Sequence, residues 1–155
     1  KAGISCEGEI GFVGYSGGEN SAGTDPEEAA RFARETGVDA MAISVGNVHL
    51  QQDRQGGLDE PRIRAIEALT TVPLVIHGGS GVPLKQRTAL ATGSSICKFN
   101  IGTELRMAFG AALREAVNRD PERFDRVTIL KDTHDPVMQA ARIVIRAFGA
   151  PQQKA

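Results

Sequence analysis

Two carboxylates, two histidines, an asparagine and a glycine-rich turn are the residues of this chain whose types and spacing could do chemistry. Glu7 and Glu9 sit two residues apart in the strand-like run Gly3–Gly11, which places both on one face of an extended segment. If that face looks into a core, the charges must be paired, protonated or bound to metal, because an uncompensated buried carboxylate is expensive. A solvated acidic face is the ordinary alternative. His77 ends the apolar run Val72-Pro73-Leu74-Val75-Ile76 and opens the turn Gly78-Gly79-Ser80-Gly81. Glycines at 78, 79 and 81 let main-chain N–H groups converge on an anion, and a helix starting near Pro83 would add its positive end there. His49 follows the run Val38–Val45 through Gly46 and Asn47, and Asn100 closes the run Ser95–Asn100.

Taken singly, each of these residues reads as structural. Taken together, Glu9, His49, His77 and Asn100 lie at the ends of four successive strand-like segments. Imidazoles with a carboxylate suit a divalent cation such as zinc, and Asn100 is left to bind substrate. His134, near the tail, is assigned a structural role.

The elements that must position these groups alternate. Asp25 or Thr24 caps a helix with Pro26 at its start and a stripe of Ala30, Phe32 and Ala33, ended by Gly37. A second helix runs from about Pro61 to Leu69, with Ile63, Ile66 and Leu69 on one side, and a third follows Pro83. After Asn100, Ile101-Gly102-Thr103 turns into a helix carrying Leu105, Phe109, Leu113 and Val117. A tail helix capped by Asp135 carries Val137, Ala141, Val144, Ile145 and Phe148. Strand and helix alternate four times with short connections, which implies parallel pairing and right-handed crossovers. The polar residues gather where the strands end, the functional edge of such folds. Four such units are half of a (β/α)8 TIM barrel, and an isolated four-stranded sheet would leave apolar edges exposed.

Composition narrows the function classes. The chain of 155 residues is 41% hydrophobic and 24% charged, and its formal charge is −1. That balance supplies no electrostatic reason for nucleic acid or an anionic membrane as partner. No apolar run is long enough to span a bilayer and no signal-peptide pattern is present, so the cytoplasm is the default location. Cys6 and Cys97 lack C-x-x-C spacing and read as small buried hydrophobes.

The segments Glu7-Gly8-Glu9-Ile10-Gly11, Thr24-Asp25-Pro26, Gly46-Asn47-Val48-His49, Val75-Ile76-His77-Gly78-Gly79-Ser80-Gly81 and Asn100-Ile101-Gly102-Thr103 resemble, in order and near spacing, the class II metal-dependent ketose-bisphosphate aldolases. The resemblance covers essentially the whole chain. It implies a zinc-dependent lyase of carbohydrate metabolism that reversibly cleaves a phosphorylated ketose to dihydroxyacetone phosphate and an aldehyde, the carbanion being stabilised as an enediolate. His49 and His77 would be zinc ligands, with Glu9 an additional or alternate one. Gly78, Gly79, Ser80, Gly102 and Thr103 would hold the phosphate, with a monovalent cation near it, and Asn100 would contact the triose. Glu19, in the Gly/Ser/Asn-rich segment 14–24, resembles the acidic residue that handles the proton on the nucleophilic carbon. A homodimer or homotetramer is the family's expected assembly.

Two features depart from the family. Its usual His-Gly-x-Tyr-Lys reads His49-Leu50-Gln51-Gln52-Asp53 here, with Arg54 next. The family's first four barrel strands have no counterpart, and an intact barrel needs about 250 residues. Residues 1–155 are therefore expected to be the C-terminal half of a single barrel domain, supplying roughly strands 5 to 8. Two other functions are open: a non-catalytic aldolase-like protein that binds a sugar phosphate or serves assembly, and a metal-free barrel isomerase or lyase using Glu9 as base.

Overall fold

The computed structural model describes residues 3–15, 22–50 and 57–149. The chain divides into two compact units, Lys1–Ile101 and Gly102–Ala155. Glu19 and the segment 51–56, with Asp53 and Arg54, lie outside the described residues.

In the first unit β1 (Glu7–Ile10), β2 (Ala40–Ile43), β3 (Leu74–Ile76) and β4 (Ile96–Phe99) form one parallel sheet in chain order. Between them lie α1 (Pro26–Thr36), α2 (Glu60–Leu69) and α3 (Leu84–Gly93). The helices begin where their capping chemistry dictates. Asp25 accepts the Glu28 N–H at 3.0 Å with Pro26 in the first turn, and Asp59 accepts the Arg62 N–H at 3.0 Å with Pro61 following. Gly37 ends α1 in the left-handed region, and its N–H reaches the Ala33 carbonyl.

Alternation along the strands divides the sheet into two chemically different faces. Met41, Ile43, Leu74, Ile76 and Ile96 pack with Ala29, Ala33, Ile63, Ile66 and Leu90 into one apolar core. The opposite parity carries Glu7, Glu9, Ala42, Val75 and Lys98. A register shift between Leu74 and Val75 makes Cys97 an extra residue: Ile96 pairs with Leu74, but Lys98 pairs with Val75. Ile96 and Phe99 thus both serve the apolar core while Lys98 joins the polar face.

The second unit contains α4 (Thr103–Arg119), α5 (Arg126–Lys131) and α6 (His134–Ala147), with α4 packed on α6. Asp132 gathers Arg119 and, at 2.7 Å, Arg123. None of the described helices is long and apolar enough to cross a membrane.

Several local expectations are corrected. Cys6 and Cys97 are exposed, one preceding an outer strand and the other at the irregularity of the opposite outer strand. Leu69 on α2 and Ile145 on α6 are exposed, and on α4 the buried residues are Ala112 and Ala116, not Phe109 or Val117. Helical spacing reveals a stripe, but small residues permit the close approach that decides which part of it is covered. Helix α6 starts earlier than expected, with Thr133 at its cap and Asp135 already inside the first turn. The short α5, capped by Asp125, falls in a stretch too brief to show a helical period.

Glu67 ties α2 to the entry of β4. Its carboxylate accepts the Ser95 N–H at 2.5 Å and hydroxyl at 3.0 Å, and pairs with Arg64 at 2.8 Å. Burial raises its pKa, but these donors outweigh it and hold the carboxyl below its ordinary value. Stability from Glu67 is therefore fully present above its unfolded-state pKa and is lost as pH falls through the lower folded value. Glu67→Gln should lower stability at neutral pH by about 1–3 kcal/mol and flatten the acid limb of urea-unfolding free energy against pH.

Candidate active site

Ile10, Ile43, Ile76 and Phe99 form one row across the sheet, and the site is built by the chain beyond that row together with Glu7, Glu9 and Lys98 just before it. Side chains stitch these strand ends together. Thr24 donates its hydroxyl to the Ile10 carbonyl at 2.8 Å and accepts the Ser44 N–H at 2.8 Å, while Ser44 donates to the Phe12 carbonyl. Asn47, almost fully buried, accepts the Val45 N–H at 2.7 Å and donates to the carbonyls of Ile43 and His77 at 3.2 and 2.9 Å. One buried amide thereby ties the end of β2 to the backbone that carries His77.

The His77 ring lies between two carboxylates. Its Nε2 is 3.1 Å from Glu7 Oε1 and its Nδ1 is 3.5 Å from Glu9 Oε1. The two-residue spacing of Glu7 and Glu9 does place both on one face. Glu7 also receives Lys98 Nζ at 2.6 Å from the far strand of the sheet. In a flat sheet those strands would stand about 14 Å apart, so the contact requires the sheet to curl around this face. Lys98 first, then His77, draw the Glu7 pKa below its ordinary value against the opposing effect of burial. His49 is held by a backbone bond from its N–H to the Gly14 carbonyl at 2.8 Å and by the Tyr15 ring, 5.0 Å away. The centroids of His49 and His77 are 6.1 Å apart. Two imidazoles and the Glu9 carboxylate thus approach one another, a donor set that zinc accepts. Among the described residues, no group of three His, Cys, Asp or Glu side chains closes tightly enough to hold an ion by itself.

The glycine turn is a single 3₁₀ turn over Gly79–Gly81. The Gly79 N–H is committed to the Asn100 carbonyl at 3.0 Å, while the Asn100 N–H reaches the Ile76 carbonyl at 2.8 Å. Asn100 is thereby fixed beside the turn, with an exposed side chain. Behind the turn lies Arg87, fully buried, donating to the carbonyls of Val82 at 2.8 Å and Ser80 at 3.0 Å. Sequence reading missed Arg87, whose only signal is a cation in the first turns of a helix, where the dipole disfavours it. It also missed Lys98, hidden by the irregularity at Cys97. Gly102 and Thr103 belong to the second unit, as the cap and first residue of α4. His134 is exposed and lies 3.1 Å from Asp135.

Comparison with known proteins gives this geometry its family. The sequence profile described as "Fructose-bisphosphate aldolase class-II" matches residues 1–153. The chain belongs to the class II fructose-bisphosphate aldolase family. The fructose-bisphosphate aldolase of Geobacillus stearothermophilus is 34% identical over 153 residues, which are 96% of this chain and 53% of that protein. The crystal structure of the YdjI aldolase of Escherichia coli K12 superposes with a TM-score of 0.72 at 30% identity, over 97% of this chain and 50% of that one. The fructose-bisphosphate aldolase of Campylobacter jejuni, at 24% identity, shares the fold with a TM-score of 0.65, over 98% of this chain and 52% of that one. The chain therefore spans about half the length of the relatives it matches, and its parallel α/β architecture corresponds to about half of their barrels.

Two backbone positions in this aldolase-family site have opposite demands. Gly78 has φ +64°, and a Cβ there would meet the Val48 carbonyl oxygen at 2.5 Å. Leu50 also has a positive φ, 59°, although it is not glycine and its side chain is half exposed. An L-residue held there carries strain of about 1 kcal/mol. Gly78→Ala should destabilise the protein by about 2 kcal/mol or more, because neither the dihedral nor the backbone oxygen can yield. Leu50→Gly should be stabilising or neutral, by about 0–1 kcal/mol. Urea denaturation of the two variants measures the contrast, and equal losses in both would contradict it.

Proposed function

We propose that this chain provides half of the active site of a zinc-dependent ketose-bisphosphate aldolase, completed by preceding barrel strands that carry a further metal-binding histidine and a catalytic aspartate. The observation that carries the proposal is His77, bracketed by Glu7 and Glu9 and facing His49 at the strand ends of a class II aldolase fold. His49 and His77 hold the metal, with Glu9 as an additional or alternate ligand. Zinc, when bound, supplies a Lewis acid for negative charge developing on the substrate. The protein's own groups bind and orient. Gly78, Ser80, Gly102 and Thr103 hold the substrate phosphate, with Gly79 shaping the turn and a monovalent cation nearby. Asn100 positions the triose portion, and Glu19 moves the proton at the nucleophilic carbon. The substrate is a phosphorylated ketose, cleaved to dihydroxyacetone phosphate and an aldehyde. The protein works in the cytoplasm as a homodimer or homotetramer, without nucleic acid or membrane.

Asp53, which stands where the family pattern has a phosphate-facing lysine, favours a second reading, a sugar-phosphate-binding protein without turnover. Assay of the full-length protein in zinc with ketose bisphosphates separates the two: binding without product supports the second reading, and turnover eliminates it. In the active protein, His77→Ala should abolish both stoichiometric zinc and cleavage. Retention of both would remove the mechanism.

A further inference from the structure

We propose that Glu7, braced by Lys98, is a positioning residue that fixes which nitrogen of His77 faces the metal, leaving Glu9 as the carboxylate available for coordination. The inference rests on the zinc reading above and assigns separate roles to two acidic residues that share a face.

Glu7 meets Nε2 of His77 at 3.1 Å, and Glu9 lies toward Nδ1 at 3.5 Å. A neutral imidazole carries one N–H and one lone pair, so the better-placed carboxylate decides the tautomer. With Nε2–H donating to Glu7 Oε1, the Nδ1 lone pair is left on the side of Glu9. A carboxylate behind a ligating imidazole fixes the ring's orientation and raises its basicity.

Glu7 suits that duty because both its oxygens are engaged. Oε1 faces His77, and Oε2 takes Lys98 Nζ at 2.6 Å. Glu9 has no such brace among the described residues, its side chain is nearly half exposed, and it stands one strand period nearer the site edge. The brace depends on a backbone feature. Without that irregularity, regular pairing would put Cys97 opposite Val75 and turn Lys98 toward the helix-facing core. The irregularity aims the lysine at Glu7 across a separation of 91 residues.

The test uses the full-length protein and reads the His77 tautomer by ¹⁵N NMR in the metal-free state, and zinc affinity by chelator competition. Glu7→Leu should remove the preference for Nε2–H and weaken zinc binding about 10–100-fold. Glu7→Gln, which keeps an acceptor oxygen, should lose less. Lys98→Met should weaken zinc binding in the native background and have little added effect in Glu7→Leu. Glu9→Gln should weaken zinc binding while leaving the tautomer in place. A Glu7→Leu protein with the native tautomer and an affinity within about twofold of the native value, against the 10–100-fold expected, would overturn the proposal. So would a Lys98→Met effect of full size in both backgrounds. If Glu7→Leu does not fold, native tautomer and affinity in both Glu7→Gln and Lys98→Met overturn it equally. If the native protein takes up no zinc, the metal reading fails, and the tautomer alone decides the role of Glu7.

Discussion

Parallel pairing of strands taken in chain order brings the C-terminal ends of β1 to β4 onto one edge, and each feature of the first unit's site depends on it. Residues separated by 70 and 91 positions, His77 and Lys98 from Glu7, become neighbours only because each crossover returns the chain to the same end of the sheet. The helices α1, α2 and α3 enforce that return. Their apolar faces bury against Met41, Ile43, Leu74 and Ile76, which leaves the other parity of the strands for polar work.

The polar face is held by pairing, not by burial. Each oxygen of the Glu7 carboxylate faces a partner, one an imidazole and the other an ammonium group, while the residue stays exposed. Curvature and charge are coupled here, since the Lys98 contact spans the sheet only when the sheet is curled. The same logic governs the strand ends, where the hydroxyls of Thr24 and Ser44 and the amide of Asn47 satisfy backbone groups that the ladder no longer pairs. The strand ends are therefore held both by satisfied hydrogen bonds and by the buried Val45, Ile76 and Val82 beside them.

The glycine turn shows how one conformation can serve two ends. Gly78 has to be glycine because the chain from Val48 to His49 passes against it, which also keeps the two histidine-bearing segments close. Arg87 then anchors the turn from behind through the Ser80 and Val82 carbonyls. A buried guanidinium adjacent to a helix start is costly to desolvate, yet it places positive charge behind a turn expected to receive an anion. The strained Leu50 lies next to His49, where the sequence also departs from its family.

The sequence by itself determined the order of the elements in the first unit, the capped start of α1, the approximate start of α2, the strand ends that carry His49, His77 and Asn100, and the shared face of Glu7 and Glu9. Those features follow from local rules: two-residue alternation, proline and aspartate at helix starts, and glycine after apolar runs. Only the tertiary structure decided that Lys98 reaches Glu7, that Asn47 and Arg87 hold the site from within, that Ala112 and Ala116 are the covered part of α4, and that both cysteines are exposed. The physical reason is that these outcomes depend on an irregular strand register, on buried polar groups finding distant partners and on how closely two backbones approach. None of the three leaves a periodic trace along the chain.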